Sequence, residues 1–145
     1  MAGKVIALLL RLGLAGVFLY AGYVHVSDAP KFVMAIQHYR LLPTDVSFLV
    51  GIYLPWVEIL AGLGLVTRLL YAGSLAALGG MLVVFLGAVI SAWSRGLDID
   101  CGCFKTARSI KAHFPSIVAQ DVALLVVVLI LFVIEAERQY SRARR

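Results

Sequence analysis

The chain has 145 residues, of which 62% are hydrophobic and 14% charged, and its mean hydropathy is +0.97. A soluble domain of this size needs far more polar surface, so the composition belongs to an integral membrane protein. The net charge of +5 is not spread on a face that interleaves with aromatics, so no nucleic-acid partner is expected. The tail arginines Arg138, Arg142, Arg144 and Arg145 suit anionic lipid headgroups instead.

The first apolar segment runs from about Val5 to Val24 and carries Arg11. It is longer than a signal-peptide core and no clear small-x-small site follows it, so a retained helix is expected. The connection from Val26 to Asp45 holds Pro30 and Pro43, with apolar residues at Phe32, Ala35, Ile36 and Tyr39. That spacing predicts a short amphipathic helix lying at the membrane interface.

The second long segment, about Val46 to Val66, carries Glu58. The third, Leu69 to Ser94, has no charge and follows after only Thr67 and Arg68, which predicts a tight antiparallel hairpin. Ala72, Ala76 and Gly80 are spaced four apart on it and suggest a close packing seam. The fourth segment, about Phe114 to Ile134, carries Asp121. Each segment meets the need for about 20 mostly apolar residues, and strands are disfavoured because backbone in lipid must bond within its own segment. The expected fold is all-α: one domain over residues 1–145, a four-transmembrane-helix bundle with a short interfacial helix in the first outer loop.

An even number of spans puts both termini on one side. Lysine and arginine are almost evenly divided between the two sides, so the positive-inside rule barely discriminates. A cysteine pair is more at home on the oxidising side. The termini are therefore expected in the cytoplasm and both long loops outside.

Ionisable residues inside a membrane need a partner or a role. Counted from the ends of their segments, Arg11 and Glu58 lie at similar depths of about 10 and 12 Å, which predicts an Arg11–Glu58 pair. Such a pair either locks two helices together or forms a proton or quinone-headgroup site. Asp121 lies on the cysteine side of the bilayer. It is a candidate proton acceptor for thiol chemistry, or a polar bond to Tyr20, Tyr23 or His25.

Cys101 and Cys103 are the chain's only cysteines, separated by Gly102. Lys105, Arg108 and Lys111 on one flank favour thiolate, and Asp98 and Asp100 oppose it on the other. A bridge across one residue is near the limit of disulfide reach, and Gly102 permits the turn that shortens it. Such a ring is easily reduced, which suits exchange over permanent stapling. With a single pair, electrons must pass to a quinone or to a separate thiol protein. Two thiolates can also hold Cu(I). Zinc wants two more ligands, and His113 fits no standard spacing, so no metal is expected. A purely structural role for the pair is the remaining alternative.

Several short motifs together resemble the MauE/DoxX-like membrane proteins across nearly the whole chain. They are Arg11, Phe18 and Ala21-Gly22; Asp28-Ala29-Pro30-Lys31-Phe32; Tyr39-Arg40-Leu41-Leu42-Pro43; Leu54-Pro55-Trp56-Val57-Glu58 with Gly62; and Asp100-Cys101-Gly102-Cys103-Phe104. The chain departs from that pattern at His25, Lys105 and Gln120, where the family commonly has Lys, Gly and Arg. The resemblance implies a four-helix protein of the bacterial inner membrane. It implies a role with a periplasmic thioredoxin-like protein in maturing a secreted client of the methylamine dehydrogenase small-subunit type. DoxX-like relatives imply thiosulfate:quinone and other sulfur redox systems. The expected function is a membrane thiol–disulfide component, with Cys101, Cys103 and Asp121 as the reactive set and Arg11–Glu58 holding the bundle. The alternatives are a non-enzymatic scaffold or chaperone for a secreted enzyme, and a quinone-linked oxidoreductase subunit.

Overall fold

The computed structural model describes residues 2–97 and 110–144. Among them are five helices: α1 (Ala2–Ser27), α2 (Ala29–His38), α3 (Thr44–Thr67), α4 (Tyr71–Ser94) and α5 (Ile110–Ala143). All but α2 are long and apolar enough to cross a membrane. Large apolar side chains such as Leu60, Val84 and Leu129 point outward, more than half exposed, as lipid-facing residues do. The architecture is an all-α, multi-pass membrane bundle.

Three of the four long helices, α1, α3 and α5, outrun the apolar segments that predict them. α4 starts two residues later than predicted and ends at the same Ser94. α1 continues to Ser27 because the first strong break in the sequence is Asp28-Ala29-Pro30, and Pro30 opens α2. Hydropathy marks the part of a helix that is greasy, not where its hydrogen bonding stops. The fourth span, α5, likewise gains turns at both ends. The α3–α4 hairpin turns through Arg68 and Leu70, both in left-handed backbone with φ of 62° and 53°. Its arms then close tightly: a side chain at Gly64 would strike the Ser74 hydroxyl.

Going round the bundle, α1 packs between α3 and α5, and α4 completes the ring against α5 and α3; α2 lies mainly on α3. The α1–α3 contact is the closest. A Cβ at Gly22 would lie 2.7 Å from Ile59 Cγ1 and 3.0 Å from the Pro55 carbonyl, and one at Gly62 would lie 2.8 Å from Leu19 Cγ. Small residues here let two backbones approach and gain dispersion contacts that lipid cannot better. α2 docks the same way, with Gly51 of α3 taking Val33.

The seam expected at Ala72, Ala76 and Gly80 is not used within the chain. All three are exposed, and α4 turns Ser74, Leu75, Leu78, Leu82 and Val89 inward instead.

Two apolar clusters hold the bundle. The larger fills the half nearer the termini, with Leu14, Phe18, Leu65, Leu75, Leu78, Val128 and Leu131 fully or nearly buried. The smaller lies near the other end and joins Tyr39, Val89, Ala92 and Ile117, with Leu97 and Phe114 packed on it.

Candidate functional site

Between those clusters lies a cavity of about 480 Å³. Its walls come from every helix: Phe18, Ala21 and His25 of α1, Phe32, Ala35 and Ile36 of α2, Leu54 and Glu58 of α3, Phe85 and Ala88 of α4, and Asp121 and Leu124 of α5. Tyr39, Leu41 and Leu42 from the α2–α3 connection join them. The apolar face predicted for the short helix, Phe32, Ala35, Ile36 and Tyr39, is the face that lines this cavity. The wall is almost wholly apolar, broken by His25, Glu58, Gln120 and Asp121. Leu41, Leu42 and Val84 also line it while remaining 46%, 43% and 73% exposed, so the cavity opens sideways past apolar residues.

The polar centre is His25 against Glu58. The imidazole Nδ1 lies 2.8 Å from Glu58 Oε2, and both side chains are buried. With its proton on Nδ1, the ring donates to the carboxylate, which fixes the tautomer. Phe32 stacks on the imidazole at 3.8 Å between centroids and 16° between planes, holding the ring flat against the cavity wall. Pro55, three residues before Glu58, is buried with its carbonyl toward Gly22. The close α1–α3 approach there sets the carboxylate beside His25.

The Arg11–Glu58 pair predicted from matched depths is therefore corrected: among the described residues, the carboxylate of Glu58 is paired with His25. Arg11 is fourteen residues earlier on the same helix, or about 21 Å along it. The Gly22 and Gly62 contacts shift α1 along α3, so depths counted from each segment's own end do not align. Arg11 is itself buried, with Nε and Nη1 making no hydrogen bond to any described residue.

Asp121 is buried and lines the cavity together with His25 and Glu58. Of the other histidines, His38 and His113 are exposed, and among the described residues no three metal-ligating side chains are grouped. Cys101 and Cys103 lie outside the described residues. Two contacts among the described residues lie near their segment. Trp93 of α4 stacks on Phe114 of α5 at 4.5 Å and 15°. Arg95 reaches across to the end of α2, its Nη2 donating to the Tyr39 carbonyl at 2.5 Å and its Nη1 to the Arg40 carbonyl at 3.3 Å. This clamp ties the end of α4 to the end of α2, beside the cavity-lining Tyr39.

Sequence reasoning places His25 one residue beyond its first helix and so treats it as a loop residue. The signal that finds it is the run of helix-compatible residues up to Ser27, which keeps His25 on α1.

A family model described as methylamine utilisation protein MauE matches residues 3–134. The methylamine utilization protein MauE of Paracoccus denitrificans is 34% identical over 97 residues, which cover 66% of this chain and 52% of that protein. The chain thus spans about half the length of this curated relative. No solved structure matches the chain.

Proposed function

Because the chain belongs to the MauE family, we propose that it is a membrane thiol–disulfide component supporting the maturation of a secreted protein, through exchange at Cys101 and Cys103. The observation that carries this reading is the gathering of ionisable side chains around one cavity inside the bundle. His25, Glu58 and Asp121 line a cavity with Tyr39; Tyr39 belongs to the apolar cluster on which Leu97 and Phe114 pack, and Leu97 stands four residues before Cys101. Thiol–disulfide exchange needs thiolate, so it needs somewhere for protons to go.

In the exchange, one thiolate of the pair attacks a disulfide of a periplasmic thioredoxin-like partner. A mixed disulfide forms and the partner's other sulfur leaves as thiolate. The second cysteine then displaces the partner, leaving Cys101–Cys103 oxidised and the partner reduced by two electrons; the reverse sequence oxidises the partner. The family description makes a client in methylamine utilisation the first to test. The reading places the chain in a bacterial inner membrane, with its termini cytoplasmic and the cysteine segment periplasmic.

Replacing Cys103→Ser leaves Cys101 without its resolving partner. The expected result in cells is a covalent adduct with a thiol protein that reductant releases. If no adduct forms with either single variant, and Cys101→Ser/Cys103→Ser still supports client maturation, the thiol reading fails in favour of a non-enzymatic scaffold or chaperone.

A further inference from the structure

Arg11 carries a charge that it cannot shed, because a guanidinium keeps its proton at any physiological pH. It is only 9% exposed within a membrane span, and its Nε and Nη1 make no hydrogen bond to any described residue. A buried ion without a counter-charge is strongly destabilising, so the position calls for an anion. We propose that Arg11 binds the phosphate of an anionic phospholipid, taken from the leaflet on the side of the termini.

The chain's own acids do not supply that anion. Of its eight acidic residues, Glu58 pairs with His25 and Asp121 lines the cavity beside them. Asp28, Asp45, Asp98 and Asp100 belong to the connections on the side away from the termini. Glu137 is exposed. That leaves Glu135, whose charge acts on the Tyr71 hydroxyl together with those of Arg11, Arg68 and Arg138. Three guanidinium groups and one carboxylate thus lie within electrostatic reach of one point. Arg138 follows Glu135 by three residues on α5, so the two share a helix face and balance each other. Arg11 and Arg68 remain in excess.

Position favours a lipid as the source. Arg11 stands eight residues beyond Gly3, where the first span begins, or about 12 Å along the helix. A long arginine stem reaches from that depth toward the headgroups. Arg68, exposed in the α3–α4 turn, and Arg138, near the end of α5, add positive charge on the same side, which repels the choline of a zwitterionic lipid. Guanidinium forks bind phosphate oxygens two at a time, and basic pockets between spans take anionic headgroups. The site stands apart from the cavity, whose lining on α1 begins at Val17, and does not depend on the thiol reading.

The test uses the full chain in nanodiscs of phosphatidylcholine, with and without phosphatidylglycerol. It reads thermal unfolding and the lipid retained after exchange into detergent at high salt. Phosphatidylglycerol is expected to raise the unfolding midpoint by about 3 °C or more, and one molecule per chain should survive the exchange. Arg11→Leu should abolish both effects yet stay folded in pure phosphatidylcholine, because an apolar side chain suits a site that an unpaired charge does not. If Arg11→Leu does not assemble, Arg68→Gln/Arg138→Gln carries the test, with retention weakened at least about fivefold. Removing the tail charges with Arg142→Gln/Arg144→Gln/Arg145→Gln should leave the salt-resistant lipid in place. Glu135→Gln removes a competing carboxylate and should tighten retention. Inorganic phosphate added to pure phosphatidylcholine discs tests a soluble source. Retention unchanged in Arg11→Leu, lipid lost with the tail charges alone, or stabilisation by inorganic phosphate but not by phosphatidylglycerol overturns the proposal. Retention weakened by Glu135→Gln does so too, by making Glu135 part of what holds the site together.

Discussion

His25 Nδ1 stands 2.8 Å from Glu58 Oε2, tying the end of α1 to the middle of α3 inside an otherwise greasy wall. Removing one partner strands the other in low dielectric. His25→Ala is expected to destabilise the bundle by about 3–5 kcal/mol. Adding Glu58→Gln to it should recover part of that loss, because the stranded carboxylate goes. A double-mutant cycle from reversible unfolding in mixed micelles reads the coupling, and simple additivity would show that the two side chains act independently.

The α1–α3 approach makes Gly22 intolerant of even one carbon. Gly22→Ala sets a methyl 2.7 Å from Ile59 Cγ1 and 3.0 Å from the Pro55 carbonyl. The carbonyl cannot rotate away as a side chain can, so a loss of about 1–3 kcal/mol is expected. Gly16 lies on the same helix with nothing within 4 Å of its would-be Cβ. Gly16→Ala should be neutral or stabilise by up to about 1 kcal/mol through helix propensity. Thermal unfolding of the two variants side by side checks the contrast.

Arg95 ties the end of α4 to the α2–α3 connection by two charge-assisted bonds to the carbonyls of Tyr39 and Arg40. Arg95→Gln cannot span the same gap with the same fork. Loss of about 1.5–3 kcal/mol of local stability is expected, concentrated at residues 39–42. Hydrogen exchange by mass spectrometry should show that peptide opening faster while the α1–α3 seam stays protected.

Leu70 sits at φ 53° and is 87% exposed, so its side chain contributes little packing while its backbone takes a conformation that disfavours a Cβ. Leu70→Gly should stabilise the hairpin by about 1 kcal/mol, read as a raised midpoint of thermal unfolding.

The sequence makes the spans plain because about 20 apolar residues in a row have few other uses. The face of α2 is legible for a related reason: Phe32, Ala35, Ile36 and Tyr39 contrast with polar neighbours, so their period shows. α4 offers no such contrast. It is apolar all round, and nothing in its composition says that Leu75, Leu78 and Leu82 turn inward while Ala72, Ala76 and Gly80 do not. The partner of Glu58 was hidden for a different reason. Depth along one helix says nothing of how far its neighbour has slid past it, and that slide is set by where Gly22 and Gly62 let the backbones touch. Asp121 is reached by counting turns, because its depth is a property of α5 alone, and it lines the cavity beside His25 and Glu58.

The cavity takes a wall from each helix, the last of them α5, and this bears on how the protein is made. As the chain leaves the ribosome, α1 is laid down before the partner that packs closest to it, and α3 and α4 arrive as a hairpin that already closes on itself at Gly64 and Ser74. His25 can meet Glu58 once α3 is in the bilayer. The chamber around them has no far side until α5 is threaded, so the site comes into being only when α5 joins the earlier spans.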